Sequence, residues 1–208
     1  KTHALLDELE KTLASGVKAN EIAYVSFTRQ GTYQGVDLAK DKFDLTEADC
    51  VYFKTLHSLA YHCLECSPDQ IIGYRDLQPM ISKLNLHHNQ FNTIDSKLNI
   101  AKNKQDLDAI SKEAYKGVSL GQVRLTTEVY EEYKKLLKKL DFADLLLLVK
   151  EQKTTIPVKV VFIDEAQDLT RLQWQVVLQF FKDTPNWIIA GDPNQSIFEW
   201  AGADVPYF

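Results

Sequence analysis

The sequence is poor in cysteine and has no long apolar run. Its three cysteines, Cys50, Cys63 and Cys66, are too few for a disulfide framework and fit a reducing cytosol. No apolar stretch approaches the roughly 18 residues that cross a bilayer, and neither an internal repeat nor a low-complexity tract is present. These features argue against a disulfide-rich secreted domain and against a membrane protein, and they predict a cytoplasmic location.

The sequence also lacks the excess of positive charge that is typical of many nucleic-acid-binding proteins. It contains 24 lysines and arginines against 29 aspartates and glutamates, which gives a formal net charge of −5. The charge is uneven, because residues 66–140 carry a net +3 and the remaining residues a net −8. A binding groove needs local positive potential rather than a basic total. The net charge therefore does not exclude a nucleic-acid partner.

Short apolar segments that predict strands alternate with segments of helical spacing. Leucines at helical spacing predict a helix over residues 3–13, and residues 169–181 predict another. Residues 66–140 are polar, rich in lysine and mostly helical in pattern. Strand segments that are nearly continuous in Val, Ile and Phe predict an α/β fold, with a parallel sheet covered by helices on both faces. The predicted strands are residues 22–27, 51–56, 158–164 and 187–192.

Two acidic residues end the third predicted strand, where ligands of such sheets bind. Asp164 and Glu165 follow a run of apolar residues, and adjacent buried carboxylates are costly without a positive partner. A magnesium–nucleotide complex supplies that partner when the aspartate helps to hold Mg²⁺ and the glutamate activates a water. The alternative is a helix N-terminus, where acidic residues are also favourable and Asp168 would be the cap.

The fourth predicted strand is followed by turn residues and then by two aromatic residues. Gln195 lies beyond the strand end, where its side-chain amide is placed to contact a phosphate or to respond to its loss. Phe198 and Trp200 would point the same way in an extended chain, as stacking platforms for single-stranded bases do. Two such aromatics also occur as ordinary core residues, and that alternative stays open.

The first two predicted strands end in hydroxyl, cationic and imidazole side chains. Thr28 and Arg29 follow the first strand, and Thr55, His57 and Ser58 follow the second. These groups suit contacts with a phosphate backbone. Serine and threonine also cap helices, and His57 has the alternative of a structural role.

Taken together, the strand-end segments resemble the motifs of the UvrD/Rep/PcrA group of superfamily 1 DNA helicases. The resemblance covers residues 1–65 and 141–204. It implies a RecA-like P-loop NTPase fold, with a motor domain formed by residues 1–65 and 141–208 and an α-helical subdomain inserted at 66–140. The segments that carry it are SFTRQGTYQGVDLA (motif Ia), TLHSLAYHCL (the motif that follows), DFADLLLL, IDEAQD (motif II) and GDPNQSIFEWAGAD (motif III).

The resemblance implies an ATP and Mg²⁺ site built from five residues. Lys1 and Thr2 match the end of the family's Gly-Lys-Thr motif, so Lys1 would contact the β- and γ-phosphates and Thr2 would hold Mg²⁺. Asp164 would be the second Mg²⁺ residue and Glu165 the residue that activates water. Gln195 would sense the γ-phosphate and couple hydrolysis to DNA contact.

The resemblance also implies a surface for single-stranded DNA or a single-strand/double-strand junction. Its members would stack on bases or contact the backbone, a sequence-tolerant combination. The implied DNA-binding residues are Phe27, Thr28, Arg29, Thr55, His57, Ser58, Phe198 and Trp200.

The implied function is that of an ATP-dependent DNA helicase or translocase that moves 3′ to 5′. A second RecA-like motor domain with phosphate-contacting arginines is expected in the parent protein, so this chain alone is expected to hydrolyse ATP poorly. Ala201 stands where the family has arginine, which removes one cation between ATP and DNA. Two alternatives remain: the motor of a helicase–nuclease complex, and a non-hydrolysing module that binds DNA or protein.

Two further features have ordinary interpretations. Cys63 and Cys66 match one of the two ligand pairs of a zinc site, and His57 and His62 lie nearby in the sequence. The sequence has no second cysteine pair, and the packing of a helix explains two cysteines at i and i+3 equally well. The Lys-rich segment 131–139 alternates with glutamate, which is typical of a solvated helix face, although its positive charge leaves DNA contact as an alternative.

Overall fold

The computed structural model describes residues 2–26, 36–37, 40–46, 48–106, 110, 118–195 and 203, except for the side chain of Thr2. A parallel sheet of four strands lies at the centre of the described residues. The strands are β1 Ile22–Ser26, β2 Tyr52–Thr55, β3 Val160–Asp164 and β4 Asn186–Ile189. Their order in the sheet is β2-β1-β3-β4. Each predicted strand is present, which confirms the predicted α/β class.

The two central strands consist entirely of buried residues. β1 and β3 pair in parallel, and their register places Ser26 directly beside Asp164. Burial on both faces explains why these strands read as continuous apolar runs rather than as alternating ones. Because all strands are parallel, the residues that follow each strand meet at one edge of the sheet, which we call the carboxyl edge.

Helices cover both faces of the sheet, as the sequence predicts. The helices are α1 Thr2–Ala14, α2 Leu56–Cys63, α3 Tyr74–Lys83, α4 His88–Lys104, α5 Leu120–Leu137, α6 Phe142–Glu151 and α7 Arg171–Phe180. One face of the sheet packs against α1, whose Leu5, Leu6 and Leu9 contact the side that carries Tyr24 and Phe162. The opposite face packs against α2, α6 and α7. Within the described part of the chain, no helix combines the length and apolar character needed to cross a membrane.

The N-terminus of α7 is capped by Thr170, so the capping role considered for Asp168 is wrong. The Thr170 hydroxyl accepts a hydrogen bond from the Gln173 amide at 3.3 Å, and the Gln173 side chain accepts one from the Thr170 amide at 2.9 Å. This reciprocal pair satisfies the first free amides of the helix. Asp168 instead lies two residues earlier, in the 3₁₀ turn Ala166–Asp168.

Helices α3, α4 and α5 have an apolar core of their own. Leu77, Ile94 and Val123 are representative members of this cluster, which is distinct from the clusters on the two faces of the sheet. The segment that leads into this helical region and the segment that leads out of it lie side by side. The Ile72 amide donates to the Leu140 carbonyl at 2.9 Å, and the Leu140 amide donates to the Gln70 carbonyl at 2.8 Å.

The Lys-rich end of α5 is only partly a solvated face, and for Lys134 that interpretation is wrong. Lys134 is 2% exposed, and its ammonium lies 2.7 Å from an Asp141 oxygen. Lys102 of α4 approaches the same carboxylate at 2.8 Å, and Asp144 contacts both lysines. We call Lys102, Lys134, Asp141 and Asp144 the ion-pair cluster. The neighbouring Lys135 is 71% exposed and fits the expected surface.

Candidate functional site

Asp164 lies at the carboxyl edge, as the last residue of the central strand β3, and is 3% exposed. Both of its carboxylate oxygens accept hydrogen bonds. The Tyr24 hydroxyl donates to Oδ2 at 3.1 Å, and the Glu165 amide donates to Oδ1 at 3.0 Å. Two donors at fixed positions define the plane of the carboxylate as well as its location.

Tyr24 was not expected from the sequence to belong to this site. Its ring is fully buried in β1, with ring centroids 6.0 Å from Phe53 and 6.3 Å from Phe162. Burial, followed by the negative charge of Asp164, raises the pKa of Tyr24, so its hydroxyl stays protonated and remains a donor. The available signal was one polar atom in the otherwise apolar segment IAYV.

Glu165 adopts a left-handed backbone conformation, with φ 52° and ψ 43°. Such a conformation is uncommon for residues other than glycine, and it occurs at functional sites when surrounding contacts enforce it. Among the described residues, Glu165 is the one with positive φ that directly follows a strand. The sharp turn at Glu165 therefore comes directly after Asp164, at the point where β3 ends.

A second residue missed by the sequence reasoning, Gln167, connects Glu165 to the turn after β4. Gln167 is 2% exposed, and its side-chain amide nitrogen donates to Glu165 Oε2 at 2.8 Å. Its side-chain oxygen accepts a hydrogen bond from the Asp192 amide at 2.9 Å. One buried amide thus joins the strand ends of β3 and β4. Its signal in the sequence was a polar residue two positions after Glu165.

Gln195 ends the 3₁₀ turn Pro193–Gln195 and is exposed. The Gln195 amide donates to the Asp192 carbonyl at 2.9 Å, and Asp192 Oδ1 accepts from the Asn194 amide at 3.0 Å. Because Asp192 is itself held by Gln167, the position of Gln195 is linked to that of Glu165 through two intervening residues.

The N-terminus of α1 faces the same edge of the sheet. α1 packs against the Tyr24 face, and only residues 15–21 separate its end from the start of β1 at the opposite edge. A helix of 13 residues, at about 1.5 Å per residue, is somewhat longer than strands of four or five residues, so its first turn reaches the carboxyl edge. Amide groups of a helix N-terminus favour anions, and the first turn of α1 contains no acidic residue to compete.

The chemistry of these groups fits Mg²⁺. Asp164 offers a hard carboxylate oxygen, the ligand type that Mg²⁺ prefers, and the hydroxyl of Thr2 would add another oxygen. Among the described residues, no group of three or more His, Cys, Asp or Glu side chains is placed to hold a metal. One or two protein ligands, completed by phosphates and water, is the arrangement that is usual for Mg²⁺ at nucleotide sites.

A cavity of about 1020 Å³ lies at the end of β2, between the sheet and the helical region. Its walls include Thr55, His57 and Ser58, so the structure brings these three predicted contact residues together. Thr55 also caps α2, because its hydroxyl accepts from the Ser58 amide at 3.2 Å. The capping alternative is therefore confirmed for Thr55, although the hydroxyl proton can still be donated to a ligand.

Phe142 lines the same cavity and was not predicted as a site residue. It begins α6 and is 54% exposed, which is unusual for a large apolar side chain. The His57 ring meets it edge to face, with centroids 5.7 Å apart and an angle of 84°. The signal in the sequence was an aromatic residue between the two aspartates of the DFAD segment.

The family comparison agrees with this geometry. The family model of the UvrD/REP helicase N-terminal domain matches residues 1–208, the full length of the chain. The chain belongs to this family. The predicted resemblance and the RecA-like α/β class are thereby confirmed, and the carboxyl edge described above is that of a UvrD/REP-type domain.

Individual relatives of this UvrD/REP-type domain match at moderate identity. The ATP-dependent DNA helicase PcrA from Bacillus subtilis is 28% identical over 183 residues, which cover 76% of the chain and 24% of that protein. The ATP-dependent DNA helicase Rep from Buchnera aphidicola subsp. Baizongia pistaciae is 29% identical over 90 residues, 39% of the chain and 13% of that protein. RecBCD enzyme subunit RecB from Chlamydia pneumoniae is 42% identical over 53 residues, 24% of the chain and 5% of that protein. The chain spans about a quarter of the length of PcrA.

Several predicted residues of the UvrD/REP-type site lie outside the described residues, and their roles stay predictions. Lys1 belongs to this group, and for Thr2 only the helical backbone is described. The same holds for Ala201, the departure from the family pattern. The DNA-contact candidates in this group are Phe27, Thr28, Arg29, Phe198 and Trp200.

Proposed function

We propose that the chain is the ATP-hydrolysing motor domain of a DNA helicase or translocase that tracks single-stranded DNA in the 3′–5′ direction. The observation that carries this proposal is the connected set of side chains at the carboxyl edge. In that set, Gln167 joins the buried Asp164 and the half-buried Glu165 to the Asp192 turn that precedes Gln195. A module that only bound DNA or protein would have no need of this arrangement.

The nucleotide would bind between the N-terminus of α1 and the end of β3. In this proposal Lys1 contacts the β- and γ-phosphates, while Thr2 and Asp164 hold Mg²⁺. When bound, Mg²⁺ neutralises charge that develops on the phosphates. The α1 amides add favourable partial charge, since helix N-termini attract phosphate groups.

Glu165 is the proposed general base. Its carboxylate orients the attacking water and accepts its proton, while the hydrogen bond from Gln167 fixes one carboxylate oxygen. Gln195 is proposed to sense the γ-phosphate. A displacement of Gln195 on hydrolysis would reach Glu165 through Asp192 and Gln167, and it would also reach the segment that contains Phe198 and Trp200.

Single-stranded DNA would cross the carboxyl edge and the cavity next to β2. The exposed ring of Phe142 and the half-buried ring of His57 form an aromatic pair, and Thr55 and Ser58 offer hydroxyl groups for the phosphate backbone. Stacking and backbone contacts read no base sequence, which suits an enzyme that moves along DNA. The remaining proposed contacts are Phe27, Thr28, Arg29, Phe198 and Trp200.

The test of the proposed function is ATP turnover by the full-length protein with and without single-stranded DNA. We expect turnover to require Mg²⁺ and to rise strongly with DNA. Direction is measured separately, by displacement of a streptavidin block placed at either end of a single strand, and only the 5′ block should be displaced. A rate of ATP turnover that does not change when single-stranded DNA is added would contradict the proposal.

Phe142→Ala is expected to weaken binding of an oligo-dT strand by about 1–3 kcal/mol, the usual contribution of one base stacked on an aromatic ring. The measurement is fluorescence anisotropy with the full-length protein at one stated salt concentration, since salt strongly changes such affinities. Leu178→Ala is the matched control, because it truncates a residue that is 47% exposed on α7 and outside the cavity. Equal DNA affinities of the two variants would contradict the role of Phe142.

The motor of a multi-subunit helicase–nuclease enzyme is the second candidate. The short segment shared with RecB of Chlamydia pneumoniae, at 42% identity over 53 residues, favours it. The two candidates differ in assembly, so size-exclusion chromatography of the native complex distinguishes them. A protein that elutes alone and still translocates supports the first candidate.

We also propose that residues 66–140 form an inserted subdomain and that residues 1–65 and 141–208 form the motor domain. The separate apolar core of α3, α4 and α5 supports this division, as does the pairing of Ile72 with Leu140 where the chain enters and leaves. A second RecA-like motor domain is proposed in the full-length protein, to complete the ATP site from the other side.

A further inference from the structure

We propose that Tyr24 is a positioning residue for Mg²⁺, holding the Asp164 carboxylate in the orientation that the ion requires. This inference rests on the proposed ATPase function, because it concerns the same site. Tyr24 itself does not touch the ion or the nucleotide. It acts through Asp164, from which it is 140 residues distant in sequence.

Two donors hold the Asp164 carboxylate, one at each of its oxygens. The Tyr24 hydroxyl holds Oδ2 at 3.1 Å and the Glu165 amide holds Oδ1 at 3.0 Å. A carboxylate with one fixed oxygen can still rotate about that contact, whereas one with two fixed oxygens cannot. Groups that support a ligating carboxylate in this way fix its orientation, and their loss weakens metal binding.

Tyr24 is itself held rigidly in the sheet. Its side chain is fully buried, and its ring packs between Phe53 and Phe162 from the two neighbouring strands. β1 is paired on both sides, with β2 and with β3. The hydroxyl is therefore held by the centre of the sheet rather than by a loop, and a functional group is positioned more accurately by such an element.

A second polar side chain lies next to this pair. Ser26 is beside Asp164 in the register of β1 and β3 and is 1% exposed. Its hydroxyl has no hydrogen-bond partner among the described residues. A hydroxyl at this position is able to donate to, or accept from, a water in the shell of an ion held by Asp164.

The site would then be set before the ion arrives. Mg²⁺ demands near-ideal octahedral geometry and releases its water reluctantly, so a misdirected carboxylate is a poor ligand. Because both oxygens of Asp164 are held in place, the carboxylate has a fixed direction. It would either bind Mg²⁺ directly or accept a hydrogen bond from a water bound to Mg²⁺. The tyrosine lies in β1, so it maintains this direction whether or not nucleotide is bound.

The test is the Tyr24→Phe variant of the full-length protein, which removes one oxygen and keeps the ring. The readout is binding rather than turnover: the affinity for a fluorescent, non-hydrolysable ATP analogue, measured across a Mg²⁺ titration. We expect the Mg²⁺ concentration at half-effect to rise by about 10- to 100-fold. Binding of the analogue without Mg²⁺ should not change.

Tyr130→Phe is the matched control, because it removes the same atom from another buried tyrosine. The Tyr130 hydroxyl donates to Asp141 at 3.3 Å, within the helical region. This variant should leave the Mg²⁺ dependence unchanged. Replacement of Tyr24 by 4-fluorophenylalanine provides a second variant, which fills the space of the hydroxyl but cannot donate, and it should reproduce the effect of Tyr24→Phe.

The outcomes separate the inference from the proposed function. If the unmodified protein shows no Mg²⁺-dependent nucleotide binding, the ATPase proposal itself is wrong. If the unmodified protein shows it and both Tyr24 variants match it, Tyr24 does not position Asp164. A Tyr24 variant that bound Mg²⁺ more tightly would also overturn the inference, because the hydroxyl would then compete with the ion. Lower thermal stability with an unchanged Mg²⁺ dependence would mean that Tyr24 only packs.

Discussion

Glu165→Gln is expected to lower ATP turnover by the full-length protein by about 10²- to 10⁴-fold, the usual contribution of a positioned general base. Glutamine has nearly the shape of glutamate but cannot accept the proton of the attacking water. ATP binding should change little, because Lys1, Thr2 and Asp164 are the proposed contacts to the phosphates and Mg²⁺. Single-turnover hydrolysis and equilibrium binding of ATP are the two measurements.

The local geometry makes this substitution informative. The Gln167 amide donates to Glu165 Oε2 at 2.8 Å, and a glutamine at position 165 can still accept that bond through its own side-chain oxygen. The link from Gln167 to Asp192 should therefore survive. A loss of turnover would then report the missing base rather than a collapsed site.

Glu65→Gln is the control for Glu165→Gln. Glu65 also has a positive φ, of 51°, so the two substitutions share a backbone conformation. Glu65 is exposed and follows α2, away from the carboxyl edge. Normal turnover is expected for Glu65→Gln. Normal ATP turnover by Glu165→Gln would instead support the alternative in which the acidic pair has no catalytic role. Loss of ATP binding by Glu165→Gln would mean that Glu165 contributes to nucleotide binding.

The sequence was sufficient to predict the parts of the fold and the site that depend on local pattern. β1 and β3 were predictable because burial on both faces leaves only apolar residues in each strand. Asp164 and Glu165 could be singled out as candidate site residues because carboxylates at a strand end contradict that pattern, and their roles stay predictions. Thr55, His57 and Ser58 followed from the same rule at the end of β2.

The partners of these residues could not be predicted, because they depend on contacts between distant parts of the chain. Tyr24 meets Asp164 only when β1 and β3 pair in one particular register, and a shift of one residue would turn Tyr24 to the other face. Gln167 contacts Asp192 across 25 residues and two strand ends. Phe142 acquires its place beside His57 only through the packing of α6 on α2.

For Lys134 the prediction of a solvated helix face was wrong, because tertiary contacts override the local charge pattern. Alternating glutamate and lysine on a helix are usually solvated. Lys134 is buried because it meets Asp141, seven residues later, and Lys102 meets the same carboxylate from α4. The charge pattern contained no information about this second helix, so the sequence could not distinguish Lys134 from the exposed Lys135.

Asp141→Asn is expected to destabilise the junction between the helical region and the sheet by about 3 kcal/mol. Breaking a buried ion pair by removing one partner costs about 3–5 kcal/mol, since the remaining charge is uncompensated. The lower value is expected here because Asp144 and Glu131 each still contact both Lys102 and Lys134. Asparagine also keeps an oxygen for the Asp144 amide, so the cap of α6 is retained.

Hydrogen exchange of α5 and α6 amides in the full-length protein measures this local stability. A loss of about 3 kcal/mol corresponds to exchange that is faster by about 10²-fold. Glu132→Gln is the control, because it breaks the exposed Glu132–Lys135 pair, whose side chains are 73% and 71% exposed. That pair is expected to contribute less than about 1 kcal/mol. Similar exchange in both variants would contradict the importance of the ion-pair cluster.

The pH dependence of the same amides separates the charge of Asp141 from its packing. Burial acts to raise the pKa of Asp141, but the ammonium groups of Lys102 and Lys134 outweigh it and lower the pKa from 3.8 to about 2. A carboxyl whose pKa is lowered by folding stabilises the protein above its unfolded pKa, and this contribution is lost as the pH falls through the folded value. Stability should therefore decrease by about 2 kcal/mol between about pH 5 and pH 2 through this group, at about 1.4 kcal/mol per pKa unit.

The other carboxyl groups titrate in both proteins, so the difference in stability between wild type and Asp141→Asn isolates the contribution of Asp141. That difference in stability should shrink as the pH falls towards 2. A difference that stays constant with pH would mean that Asp141 stabilises the junction through shape and hydrogen bonding rather than through its charge.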